Sequence, residues 1–155
     1  MSPHFGRMDA DRMSPEDALL LRARLHWSSG LARLRDNRIP DGIVTLYDAL
    51  LSGMRWYILV HLGHELGEGA DRKLEDEQYL FFLLRHHGVI DRTSDPGRLR
   101  AAADRVLMDQ EPEADTERIV LDLTQFLTRI EVLPFNEADL PPEVSSPTED
   151  GPARK

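Results

Sequence analysis

Apolar residues recur at spacings of three and four through five stretches of the chain, and each stretch is bounded by residues that start or stop helices. The first opens at Ser14, a natural cap, with Pro15 at the first helical position and Glu16 and Asp17 in the first turn. It is expected to run to about residue 36. At 100° per residue, Leu20, Trp27, Leu31 and Leu34 fall together and Arg22, His26, Ser29 and Arg33 lie opposite, so one face is expected to pack and the other to be wet. Gly30 interrupts this helix at a cost of about 1 kcal/mol relative to alanine. A close helix crossing there would account for it.

Residues 37–40 read as a turn, and Asp41 is placed to cap a second helix over residues 42–66. Val44, Tyr47, Leu51, Met54 and Ile58 form its seam, widened by Leu46, Leu50, Tyr57 and Val60 into an arc that suits the middle of a bundle. A third helix is expected over residues 74–87, stopped by Gly88. Residues 79–84 within it are all apolar and cover the whole circumference. A bundle of this size rarely encloses one helix completely, so Tyr79, Phe81 and Phe82 are expected at an interface with a second copy of the chain.

Asp95 and Pro96 open a fourth helix, expected to reach about residue 110 and to carry Leu99, Ala102, Ala103, Val106 and Leu107. A fifth spans residues 115–133, with Ile119, Leu123, Phe126, Leu127 and Ile130 at helical spacing and Pro134 as its stop. From Asn136 onward Pro141, Pro142, Pro147 and Pro152 stand among Ser, Glu and Asp, a composition that predicts disorder. The expected architecture is therefore all-α. A flexible start (residues 1–13) precedes an antiparallel up-down bundle of about five helices (14–135), followed by a proline-rich acidic tail (136–155).

Composition narrows the function classes. With 155 residues the chain suits one domain, and 41% apolar content against 30% charged is enough to fold. Cysteine is absent, which removes disulfides, thiolate metal sites and cysteine nucleophiles. The N-terminal residues lack an apolar h-region and no uninterrupted apolar run approaches about 18 residues, so a cytoplasmic address and no membrane span are expected. A net charge of -9 argues against binding nucleic acid over the whole surface. Within residues 22–38, however, five arginines face one acid, Asp36. Arginines late in a helix suit its negative end, and the alternative is an acidic protein partner held by Arg22 and Arg33.

The sharpest polar cluster is His61, His64, Glu65 and Glu68, where two imidazoles and a carboxylate could hold a divalent ion, with His61, His64 and Glu65 as the ligands. The order His-x-x-His-Glu matches neither metalloprotease pattern. Histidines at a solvated helix end are the plainer explanation. Adjacent His86 and His87 point about 100° apart and cannot share one ion from a straight helix, although His86 could join His61 or His64 across a helix pair. The chain holds no Gly-x-Ser-x-Gly, phosphate-loop or dinucleotide fingerprint.

The segments LARLRDNRIPDG and IVTLYDALLSGMRWYIL together resemble the opening helix pair of the HEPN domains, over about the first half of the chain. That resemblance implies a helical bundle. It also implies either a metal-independent ribonuclease using an Arg-x4-6-His motif across a dimer, or an inactive relative that binds partners or nucleotides. Arg55 and His61 fit the spacing and are expected on a shared side of the second helix. The family places that motif near its last long helix, whereas the fifth helix here has Arg118 and Arg129 but no histidine. Ribonuclease action would need an imidazole to move the 2′-hydroxyl proton and a cation for the phosphorane, roles Arg55 and His61 could fill if exposed together. The plainer expectation pairs Arg55 with Asp48 and packs His61 on the apolar seam.

No complete catalytic constellation emerges. The expected function is a non-enzymatic helical interaction or regulatory module, homodimeric and without a cofactor. The alternatives are the Arg55/His61 ribonuclease and a metal-binding protein using His61, His64 and Glu65.

Overall fold

Ser14 starts the first helix as its chemistry requires: the hydroxyl accepts from the Asp17 amide at 3.1 Å, and α1 runs over Pro15–Arg35. The computed structural model describes residues 13–91, 94–112 and 114–141. Among these the chain forms six α-helices and no strand. The expectations for residues 1–12 and 142–155 lie outside the described residues.

α2 (Ile39–His61) begins earlier than residue 42, because Pro40 fits the first turn and Asp41 pairs with Arg38 at 2.7 Å instead of capping. It also ends earlier than residue 66, giving way to a 3-10 turn at Gly63–Glu65. The expected third helix is two helices. A short α3 (Ala70–Leu74) stops, and Asp76 starts α4 (Glu77–His86) by accepting from the amides of Gln78 and Tyr79 at 3.1 and 3.3 Å. α5 spans Gly97–Leu107 and α6 spans Thr116–Arg129. Pro134 does not end α6. The chain turns at Glu131, whose φ is 71°, and the Val132 amide returns to the Leu127 carbonyl at 2.9 Å.

α1 and α2 lie antiparallel, since Arg22 meets Asp48 while Leu34 meets Gly42 at the other end. Their crossing is close because Gly30 lacks a side chain: a Cβ there would stand 2.6 Å from Leu46 Cδ2 and 3.2 Å from the Leu46 backbone nitrogen. Leu46 is wholly buried and cannot swing away. Gly30→Ala is therefore expected to lower stability by about 1–2 kcal/mol, the cost of overpacking outweighing the gain in helix propensity. Thermal unfolding measures it, and an unchanged or raised melting temperature would refute the tight crossing.

The two sides of α1 differ from expectation. Its buried residues are Ala23, Trp27 and Gly30, rotated from the predicted centre, while Leu20, Leu31 and Leu34 are half-buried. Arg22, His26 and Arg33, expected to be wet, hold polar partners on α2. A periodicity argument sees apolar contacts only, and this helix pair is joined by polar ones as well.

The core lies around α2, whose Ile43, Leu46, Leu50, Met54 and Ile58 are fully buried and which packs against α1, α4, α5 and α6. By length and composition α2 is also apolar enough to cross a membrane. Here it carries the centre of a bundle. α4 contributes Leu80, Phe81, Leu83 and Leu84 to that core, leaving Phe82 outside at 55% exposure. The bundle thus encloses most of the apolar run but not all of it, leaving Phe82 exposed and Tyr79 half-buried.

After α6, Val132 is buried, its carbonyl accepts from Arg24 Nε at 2.9 Å, and the Arg24 guanidinium lies 5.2 Å from the Phe135 ring. Beyond the expected domain end at residue 135, Asn136 caps a 3-10 turn at Glu137–Asp139. Leu140 and Pro141 then line a shallow groove with Leu25, Ser28 and Ala32 of α1.

Candidate functional site

Arg22 and His26 stand one turn apart on α1, as do Asp48 and Ser52 on α2, so antiparallel packing sets the two pairs face to face. Arg22 donates from Nε to Asp48 Oδ2 at 2.8 Å and from Nη2 to Oδ1 at 2.9 Å, a two-pronged bond. His26 Nδ1 closes on the same Oδ2, and the buried Ser52 hydroxyl approaches it at 3.4 Å. Burial alone would raise the Asp48 carboxyl, but the hydrogen bonds from His26 and Arg22 and their charge overcome it and hold the group well below the usual carboxylate range. The hydrogen bond to Asp48 likewise raises Arg22 against the effect of burial.

A carboxylate on imidazole Nδ1 is the arrangement that orients a histidine for proton transfer. Here, however, the carboxylate is saturated, and the guanidinium has already given two donors to it. Sequence reasoning placed Arg22 and His26 on a wet face and missed the cluster. The matching one-turn spacings, Arg22 with His26 and Asp48 with Ser52, were the signal.

The predicted candidates disperse. Six positions along a helix leave Arg55 and His61 about 120° apart, so the shared side expected for them does not exist. Arg55 pairs with the Leu74 carbonyl at 2.8 Å and not with Asp48. The His61 side chain is 40% exposed rather than packed on the seam, with its ring 4.4 Å from Tyr57 and Nε2 3.5 Å from Glu131. His64 lies 3.5 Å from Glu65 Oε2, and the same oxygen is 3.3 Å from His87 Nε2. His87, not His61, is thus brought to Glu65. Among the described residues no group of three or more His, Cys, Asp or Glu is arranged to hold a metal ion. His86 turns away from both and stacks on Phe82.

The arginines expected to meet an acidic partner are also engaged within the fold: Arg22 with Asp48, and Arg33 Nη1 with the Thr45 hydroxyl at 2.9 Å. A further polar pair joins Tyr47, which donates to Glu77; burial and then that bond raise the phenol. A groove of about 560 Å³ is bordered by Leu19, Leu59 and Leu74 with Glu16, Arg22 and Asp71, and neither Arg55 nor His61 reaches it.

The outer face of α4 carries an exposed aromatic patch. Phe82 stacks with Tyr79 (centroids 6.4 Å, 28° between planes) and with His86 (5.5 Å, 16°), forming a three-ring stripe along the outer face of α4. Of the three residues expected at an interface, Phe82 is open and Tyr79 half-buried. Phe81 is only 1% exposed, packed edge-on against Phe126 at 6.1 Å, and belongs to the core. Position Phe81 one residue earlier and the helical turn of 100° decides between inside and outside.

Comparison with protein-family models, curated proteins and solved structures returns no match. The HEPN resemblance therefore stands on the two helix segments that suggested it.

Proposed function

We propose that the chain works by association, as a homodimeric helical module that docks through the outer face of α4, and not by catalysis. The observation that carries this is the aromatic stripe of Tyr79, Phe82 and His86, with Phe82 at 55% exposure. A large ring left in water costs the monomer nothing structurally, yet covering it contributes about 2 kcal/mol. Supporting the same reading, the groups that chemistry would need are bound to one another: Arg22 and His26 to Asp48, Arg55 to a backbone carbonyl, His61 to Glu131.

Sedimentation of the full chain at tens of micromolar is expected to show a dimer, with Phe82→Glu returning it to monomers of unchanged helicity. A wild-type chain that stays monomeric up to about 100 µM, a concentration at which even weak specific dimers form, would overturn the proposal.

A further inference from the structure

α4 carries charge of opposite sign at its two ends. Glu75 leads into it and Asp76 caps it, whereas Arg85 and His86 occupy its last turn. These residues are exposed and flank Phe82 on both sides. Within the described fold, Glu75 has neither an ion pair nor a side-chain hydrogen bond. Arg85 has only the Phe81 ring, 5.8 Å from its guanidinium. An unpaired acid and an unpaired base thus stand exposed at opposite ends of α4, with the exposed Phe82 ring between them.

Two copies laid parallel would set acid against acid and base against base. Two copies laid antiparallel across a twofold axis between Tyr79 and Phe82 set each acidic end against the other's basic end, and ring against ring. Such an interface is self-complementary, as a twofold contact must be. We infer that the partner of the α4 face is a second copy of this chain docked antiparallel, with Tyr79 and Phe82 at its apolar centre and Glu75 and Arg85 fixing its direction. This rests on the proposed self-association and adds its orientation. The charges lie at the rim, where they select register and exclude wrong pairings more than they add affinity.

Crossed charge reversals test it. Glu75→Lys and Arg85→Glu, each alone, are expected to weaken self-association by roughly five- to tenfold, because each variant faces like charges at both ends of the contact. Mixed in equal amounts, the two variants set opposite charges against each other at both ends, the two reversed residues at one and the wild-type Arg85 and Glu75 at the other, so the mixed dimer should form more tightly than either variant alone. Sedimentation with one variant fluorescently labelled reads this directly. If the wild type dimerises and Phe82→Glu abolishes it, but the mixture is no tighter than the separate variants, the antiparallel orientation is wrong and the α4 interface stands. If the wild type is monomeric, both fall together.

Discussion

Phe81→Ala is expected to destabilise the fold by about 4 kcal/mol, while the same truncation one residue later, at Phe82, changes it by less than about 0.5 kcal/mol. Phe81 is enclosed, edge-on to Phe126, with the guanidinium of Arg100 5.0 Å from its centroid. Removing its ring leaves a cavity among residues that cannot collapse into it, and strips the aromatic surface from two arginines. Phe82 loses contacts with water and with two neighbouring rings only. Urea unfolding at submicromolar protein, followed by the fluorescence of the buried Trp27, separates this intrinsic effect from association. Equal losses at the two positions would show that the outward assignment of Phe82 is wrong.

That contrast marks where the sequence was legible. Segment positions followed from caps and periodicity: Ser14, Pro15 and Asp115 stand where the chain enters α1 and α6. The turn between α1 and α2 and the role of Gly30 were also readable, whereas the seam of α2 was so only in part: Met54 and Ile58 are buried, but Val44 and Val60 are exposed and Tyr47 and Leu51 half-buried. The run at residues 79–84 was not, because six apolar residues in a row carry no phase, and which of them faces out depends on where α2 and α6 lie. The split between α3 and α4 was hidden likewise. Asp76 falls inside the expected third helix, although an aspartate ahead of Gln78 and Tyr79 is also a cap.

The polar candidates do not converge, for a different reason. Arg55, His61, His64 and Glu65 were grouped by proximity along the chain, but side chains on one helix diverge with every step: Arg55 and His61 meet partners elsewhere, and only His64 stays beside Glu65, which His87 also reaches. The cluster that did form joins residues 22 apart or more, Arg22 and His26 to Asp48. Only the antiparallel pairing of α1 and α2 could reveal it.

Asp48→Asn tests how much that cluster contributes, and pH supplies the signature. The Asp48 carboxyl is held below its ordinary value in the folded protein. Such a group stabilises the fold fully above its unfolded value of about 3.9, and the contribution is lost as pH falls toward the folded value. At pH 7 the substitution is expected to cost about 2 kcal/mol. Removing one partner from a fully buried ion pair costs more, but the Arg22 side chain is 49% exposed and can turn to water. The asparagine cannot ionise, so the gap between wild type and variant should hold from pH 7 to about pH 5 and then narrow steadily below about pH 4. Urea unfolding of both proteins across that range measures it. A gap that stays constant down to about pH 2.5 would mean that the ionised carboxylate does not hold α1 to α2, and that the stability of this helix pair comes from its other contacts, the Gly30 crossing, the apolar seam and the Arg33–Thr45 bond.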